Sequence, residues 1–253
     1  MICACSLAFR REPISAALPR LAAWGFAGVE AWGQHLDALD DAGLAALRAQ
    51  ADGLGLAIPV VSPYLFLTRD DPALLARSFA TAKRTVRQAR ILGAGRIRTF
   101  VDAGPDGIGS AQADAGHWQR ASDNLRRIAA LAPDLLFVVE THGKTLADTA
   151  DSTLRLLQLV GADNVRVLFQ PIRDEAIADW LALRPHIRHV HLQQRHPGGH
   201  GYLDDEPDTL TPLLRRIAAD GYDGTISIEY CWPDADPARL QGGLAWLRAR
   251  LGR

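Results

Sequence analysis

The sequence has few of the features typical of secreted, membrane-bound or disulfide-stabilised proteins. Its three cysteines, Cys3, Cys5 and Cys231, are an odd number and lack the C-x-x-C spacing of a zinc knuckle. No apolar run approaches the ~20 residues that a transmembrane helix needs. The N-terminal stretch "MICACSLAFRREP" has neither the basic start nor the small-residue cleavage site of a secretory signal. We therefore expect a cytoplasmic protein with no membrane partner.

An excess of charge of either sign is also lacking. Lys and Arg number 28 against 29 for Asp and Glu, which leaves a formal net charge of −1. Nucleic-acid-binding domains carry a basic excess, so we expect no nucleic-acid partner. The near-equal numbers of acidic and basic residues fit a small carbohydrate-like molecule as the partner better. The composition is also compatible with a homo-oligomer. With 253 residues, 48% of them hydrophobic, the chain can bury a full core.

Short β-branched runs alternate with longer segments in which apolar residues recur every three or four positions. The runs predict eight strands, and the intervening segments predict eight helices. The predicted strands cover 2–9, 27–32, 56–62, 96–101, 135–140, 165–170, 187–193 and 225–230. The predicted helices lie near 12–24, 39–53, 71–92, 116–131, 145–159, 174–183, 208–219 and 236–251.

Eight such βα units in about 250 residues are the number and length of a (β/α)₈ TIM barrel. The sequence therefore predicts an α/β protein with one barrel domain over residues 1–253. A doubly wound open sheet is the alternative. A nucleotide-binding sheet of that kind would need a glycine-rich turn after its first strand, and "CSLAFRREP" has none.

Alternation along the strands indicates which polar side chains point into the barrel. Four consecutive strands each have an inward polar residue at or near their end: Glu140, Gln170, His191 and Glu229. All four can bind a metal ion, and carboxylates that converge in a barrel mouth are costly unless a cation lies between them. Each residue alone could instead make an ordinary loop contact or a hydrogen bond in the core.

The stretch "HVHLQQRHPGGHG", residues 189–201, holds four of the eight histidines. The alternation directs His189 and His191 inward, with His189 one inward position deeper, where packing or support of a ligand is expected. His196 and His200 belong to a glycine-rich loop over the barrel mouth. We therefore do not expect a cage of four histidines.

These motifs resemble the sugar phosphate isomerase/epimerase family, the xylose isomerase-like barrels that include endonuclease IV and relatives of tagatose epimerase. The resemblance rests on "GVEAW", "VVETHG", "NVRVLFQP", "HVHLQQ" and "GYDGTISIEY", and it runs over nearly the whole chain. It implies a divalent metal, most commonly Mn²⁺ but also Mg²⁺, Co²⁺ or Zn²⁺, held by Glu140, Gln170, His191 and Glu229. It also implies that Glu140 and Glu229 are the catalytic acid/base pair, moving a proton next to a metal-chelated carbonyl.

The chain departs from the family pattern at strand six. Relatives usually have Asp there, followed three residues later by His, whereas this chain has Gln170 and Arg173. Where Lys-Asp often follows the strand-seven histidine, Gln193 and Gln194 stand instead. A glutamine can still coordinate through its carbonyl oxygen, but a neutral ligand predicts weaker metal retention and a stronger Lewis acid. The change could also mark a site that has lost its metal.

Further side chains near the strand ends are candidates for substrate binding. We include Glu30 and Trp32 on strand two and His142 and Lys144 after strand five; Arg173 and Arg195 follow strands six and seven. Each has a structural alternative; for Arg173 it is a surface ion pair with Asp174 or Glu175. Tyr64 and Trp232 could stack on a sugar ring.

The sequence favours a metal-dependent isomerase or epimerase of a small polyhydroxylated carbonyl compound, such as a sugar, a sugar phosphate or a keto-acid. A dehydratase or lyase of the inosose or dehydroshikimate type is the first alternative, because the same fold serves both reactions. A non-catalytic sugar-binding barrel with a decayed metal site is the second.

Overall fold

Eight parallel strands close into a barrel in the computed structural model, which describes residues 1–102, 107–196 and 199–252. The barrel strands are β1 (Ile2–Cys5), β2 (Gly28–Trp32), β3 (Ala57–Ser62), β4 (Arg96–Thr99), β5 (Leu136–Glu140), β6 (Val165–Phe169), β7 (Ile187–Leu192) and β10 (Thr225–Ile228). Strand β10 pairs with β7 on one side and β1 on the other, which closes the barrel. The predicted (β/α)₈ fold is confirmed.

Helices cover the outside of the barrel. They are α1 (Ile14–Trp24), α2 (Gly33–Leu36), α3 (Asp41–Gly53), α4 (Pro72–Leu92), α5 (Ala115–Ala129), α6 (Ala150–Val160), α7 (Ala176–Leu183), α8 (Thr211–Ala219) and α9 (Arg239–Leu251). Side chains of Asp40, Asp71, Asp114 and Thr149 cap the first turns of four of them. None of the helices described combines the length and the hydropathy that a membrane span requires.

Two predicted boundaries were wrong by four residues or more, and the others differ from the structure by three residues or fewer. The first strand ends at Cys5 instead of residue 9, because the apolar run continues as a 3₁₀ helix over Ser6–Phe9. The hydroxyl of Ser6 accepts a hydrogen bond from the backbone N–H of Trp32, which fixes this turn against β2. The helix expected from residue 145 begins at Ala150, because Thr149 and Ser152 form a capping box there.

The strands divide their side chains as the alternation predicts. Val139, Val190 and Ile226 lie in the apolar layer between the barrel and its helices. Between them along the chain, Glu140 and His191 face the barrel interior, where they lie within reach of each other. After β7 the chain forms an unpredicted antiparallel hairpin of β8 (Gln194–His196) and β9 (Gly199–Gly201).

Gly28 permits the close approach of three strands in the barrel. A Cβ atom on Gly28 would lie 2.8 Å from the carbonyl oxygen of Ala57 and 2.9 Å from Sγ of Cys3. We expect Gly28→Ala to lower the free energy of unfolding by about 1–3 kcal/mol, as overpacked cores do. The measurement is urea denaturation followed by circular dichroism.

Gly53→Ala is the matched control for this substitution. Gly53 is the last residue of α3, and a Cβ there meets no atom within 4 Å. Alanine at that position is expected to be neutral or to stabilise by up to ~1 kcal/mol. Equal effects of the two substitutions would show that packing around Gly28 is not tight.

Candidate active site

A cavity of about 300 Å³ opens at the carboxyl ends of the barrel strands. Its wall includes Glu140, His142, Gln170, Gln193 and Glu229, contributed by the ends of β5, β6, β7 and β10. Active sites of TIM barrels occupy this end of the barrel, because the loops that follow the strands converge there. Three of the four expected metal ligands therefore line the cavity.

The fourth expected ligand, His191, lies directly beneath the wall. Its Nδ1 is 3.3 Å from Oε1 of Glu140 and 3.4 Å from Oε2 of Glu229. The ligand atoms of these three residues all lie within 4.8 Å of one another. A single ion can therefore be reached by two carboxylates and one imidazole.

The unsatisfied polar atoms at this point fit a divalent cation. Oε1 of Glu140, Oε1 of Gln170 and Nδ1 of His191 are buried, and none has a hydrogen-bond partner among the residues described. Buried polar atoms are nearly always paired, so three such atoms around one cavity favour a binding site for a further group. All three are acceptors once His191 is neutral, and a cation satisfies acceptors.

Glu30 on β2 fixes the orientation of His191. Its Oε2 accepts hydrogen bonds of 2.8 Å from Nε2 of both His189 and His191, and its Oε1 accepts a short one from the hydroxyl of Ser62. Because a carboxylate can only accept, Nε2 of His191 carries the hydrogen and Nδ1 is left for the cavity side. Carboxylates commonly hold metal-binding histidines in this way.

The carboxylates around His191 raise its pKa, and the histidines in turn lower the pKa of Glu30. Burial lowers the pKa of His191, but Glu30, Glu229 and Glu140 outweigh burial and hold it well above its usual range. Burial raises the pKa of Glu30, yet His191 and His189 keep it well below the usual value, so this carboxylate is ionised. A metal ion bound at Nδ1 would take the place of a proton there.

Arg98 is an unpredicted member of the site. It lies on β4, is only 2% exposed, and donates from Nη1 to Oε2 of Glu140 at 2.7 Å. Its guanidinium also lies over the ring of Phe100 at 4.2 Å. Burial raises the pKa of Glu140, but Arg98 and then His191 reverse this and lower it to about 2. One oxygen of Glu140 is thereby fixed, and the other faces the cavity.

Of the residues expected to bind substrate, His142 and Trp32 line the cavity. Nδ1 of His142 donates to the carbonyl of Gly143 at 2.7 Å, which leaves Nε2 as the acceptor when the ring is neutral. The ring meets Phe100 edge-on, with 5.1 Å between centroids. Tyr64, expected near the sugar ring, also lies on the wall.

The structure places the other four expected substrate-binding residues off this wall. Glu30 is fully buried beneath His191, and Lys144 is exposed at a left-handed backbone position with φ of 59°. Arg173 and Arg195 line a separate neighbouring cavity of about 240 Å³. Arg173 pairs with Glu175 at 3.0 Å, the surface ion pair considered as its alternative.

His200 reaches the cavity from the hairpin instead of from a strand end. It lies on β9 and stacks on Trp232, with ring centroids 6.0 Å apart and planes within 6°. Trp232, which was expected to stack on a sugar, therefore packs against a histidine side chain. Cys231 and Gln193 complete this side of the wall, and the thiol lies 3.5 Å from Oε1 of Gln193.

Comparison with known families agrees with this geometry. The profile described as the xylose isomerase-like TIM barrel matches residues 18–250. The chain belongs to this family. Like the resemblance carried by the sequence motifs, this match covers nearly the whole barrel.

Among relatives of this xylose isomerase-like barrel is a 3-dehydroshikimate dehydratase of Bacillus anthracis, 28% identical over 205 residues, which cover 75% of this chain and 70% of the relative. The crystal structure of the probable 3-dehydroshikimate dehydratase of petrobactin synthesis from the same organism superposes with a TM-score of 0.79 at 21% identity, covering 99% and 97% of the two chains. A 3-keto-D-glucoside 4-epimerase of E. coli superposes with a TM-score of 0.80 at 20% identity, covering 98% of each chain.

Glu30→Gln tests the support of His191. The amide retains the shape of the side chain but loses the charge that holds Nε2–H of two histidines, so we expect the affinity for a divalent metal ion to fall about 10–100-fold. Isothermal titration measures the affinity. Ser62→Ala, which removes a single donor to the same carboxylate, is expected to have a smaller effect. An unchanged affinity in Glu30→Gln would show that Glu30 does not support a metal ligand.

Proposed function

We propose that this barrel is a metal-dependent enzyme that moves a proton at the carbon next to the carbonyl group of a small polyhydroxylated compound, as sugar isomerases and epimerases do. One observation carries the proposal: Glu140, His191 and Glu229 converge within 4.8 Å at a cavity, and ligand atoms of Glu140 and His191 there lack a hydrogen-bond partner among the residues described. A cation can polarise a carbonyl group and a nearby carboxylate can move a proton beside it, so this combination suits a carbonyl substrate.

The donor set supports Mn²⁺ as the metal, with Mg²⁺, Co²⁺ or Zn²⁺ as substitutes. Glu140, Gln170 and Glu229 offer oxygen and His191 offers one imidazole nitrogen, and hard cations prefer such a set. When bound, a divalent ion would acidify the C–H bond between a carbonyl and its neighbouring hydroxyl. The cavity volume of about 300 Å³ is at the small end for ligand pockets and suits a monosaccharide-sized substrate.

The two glutamates are proposed as the acid/base pair. They face the cavity from β5 and from the end of β10, on either side of His191. Arg98 holds Oε2 of Glu140, so this carboxylate has one oxygen left for metal or substrate. No hydrogen bond to the side chain of Glu229 is found in the described part of the chain, so the orientation of Glu229 is less constrained than that of Glu140.

Dehydration is the second candidate reaction. It is favoured by the 28% identity to a 3-dehydroshikimate dehydratase and by His142, whose ring lies on the cavity wall two residues after Glu140. After a proton is removed next to the carbonyl, loss of a β-hydroxyl needs a group that protonates the leaving oxygen. We assign this role to the protonated form of His142, in which Nε2–H would be the donor. Trp32 and Tyr64 offer flat surfaces for the ring of either kind of substrate.

Solvent exchange tests the shared first step. In D₂O with Mn²⁺, the enzyme is incubated with ketoses, keto-acids and inososes, and deuterium uptake at carbon is followed by mass spectrometry. We expect uptake for a substrate of this chain, and a loss of at least 100-fold in Glu229→Gln and Glu140→Gln. Glu175→Gln is the matched control, because Glu175 pairs with Arg173 at the neighbouring cavity.

The products then separate the two reactions. An epimer or isomer that retains all oxygens supports the first candidate, and release of water with a new conjugated chromophore supports the second. Retained exchange in either glutamate variant would remove that residue from the acid/base pair. Protein purified without chelator that contains no divalent metal, and binds none on addition, would contradict both candidates and favour a sugar-binding barrel.

A further inference from the structure

The charges around the cavity do not balance when a divalent ion is bound. The nearby carboxylates are Glu30, Glu140 and Glu229, and the nearby guanidiniums are Arg98 and Arg10. Three negative charges against two positive ones leave the site with one negative charge. A divalent cation would turn this into one uncompensated positive charge in a mostly buried site, and an uncompensated charge there is costly.

Gln170 is the residue whose lack of charge leaves the site with a net positive charge when a divalent ion is bound. Its side chain lies on the cavity wall, 3% of the residue is exposed, and its Oε1 has no hydrogen-bond partner among the residues described. A carboxylate at this position would make the metal-loaded site neutral. The amide offers an oxygen of the same reach without the charge, so the loaded site remains cationic.

Arg98 adds to the effect of Gln170. It is buried, and Glu140 is the one carboxylate that pairs with it among the residues described. Its single positive charge therefore offsets half of the negative charge of Glu140 and Glu229, the two carboxylates that face the ion. In a site with so little negative charge, retention of a divalent cation is weakened.

Arg10 lies at the cavity, where the negatively charged group of a ligand would bind. It follows the 3₁₀ helix after β1 and lines the cavity. Its guanidinium donates to the backbone carbonyls of Leu7 and Cys231. Within the described ranges no carboxylate pairs with it, so it can still bind an anion.

We propose, resting on the function proposed above, that this site binds its metal ion together with an oxyanion-bearing ligand, a carboxylate or a phosphate, and that each strengthens binding of the other. Gln170 and Arg98 leave the metal-loaded site cationic, and the anionic group of the ligand completes its charge with the help of Arg10. Such coupling is reciprocal and commonly amounts to 5–150-fold in affinity.

Equilibrium dialysis of Mn²⁺ against the purified protein tests the coupling. Free Mn²⁺ is measured by electron paramagnetic resonance in both compartments, which cancels chelation in solution. Three probes with the same six-carbon chain are compared: D-gluconate, D-sorbitol 6-phosphate and neutral D-sorbitol. We expect at least one of the two anions to raise Mn²⁺ affinity by at least fivefold and sorbitol to leave it unchanged. The more effective anion identifies carboxylate or phosphate.

Gln170→Glu separates charge from shape, because the two side chains are nearly isosteric. We expect this variant to bind Mn²⁺ at least tenfold more tightly without any probe, and the effect of the anions to fall below twofold. Arg10→Gln is expected to reduce the coupling, because it removes the guanidinium that would contact the anion. Mn²⁺ binding without a probe is expected to be as tight or tighter, because the substitution also removes one positive charge from the site. Arg11→Gln is the matched control, because the adjacent Arg11 donates to the carbonyl of Pro233 and does not line the cavity.

The outcomes distinguish this inference from the proposed function. Mn²⁺ bound equally tightly with and without the anions, or strengthened as much by sorbitol, would overturn the inference and leave the metal-dependent function intact. The same holds if Gln170→Glu leaves Mn²⁺ affinity unchanged. Absence of Mn²⁺ binding under every condition, in the wild type and in Gln170→Glu alike, would overturn the proposed function and the inference together.

Discussion

The active site depends on the buried carboxylate of Glu30. It accepts hydrogen bonds from Ser62 on β3 and from His189 and His191 on β7, so one side chain on β2 connects three strands of the barrel. Because the carboxylate cannot donate, it determines which nitrogen of His191 is protonated and which one faces Glu140 and Glu229. The orientation of His191 at the cavity is therefore fixed by a residue that lies deeper in the barrel interior. A packed interior of this kind holds ligands more rigidly than loops do.

Strand periodicity was sufficient to predict the fold and the convergence of Glu140, Gln170, His191 and Glu229, because alternation is a local property. The same alternation places Arg98 inward, but a sequence does not show that an arginine will be buried. What stabilises it is Glu140, 42 residues further along the chain, and such a pairing follows only from the closed barrel. Arg173 follows β6 in a loop without a fixed period, and Arg195 lies on β8, a hairpin strand that the sequence did not predict, so the direction of their side chains was not predictable.

Barrels of this family differ in reaction while they share a scaffold, and the relatives of this chain include both a dehydratase and an epimerase. In this chain the pair of glutamates and the histidine stand on barrel strands or at their ends. The amide of Gln170 and the guanidinium of Arg98 determine the charge next to them. Side chains at such positions can change the electrostatics of a site without moving a strand, so the scaffold alone does not determine the reaction.

The hairpin of β8 and β9 has a consequence for the engineering of substrate range. It brings His200 over the cavity from an element outside the barrel sheet, and His200 rests on Trp232 in the loop after β10. Surface connections between the elements of a scaffold tolerate insertion and replacement better than the elements themselves do. We therefore expect substitutions in this hairpin to change the substrate range while Glu140, His191 and Glu229 keep their positions at the barrel strands.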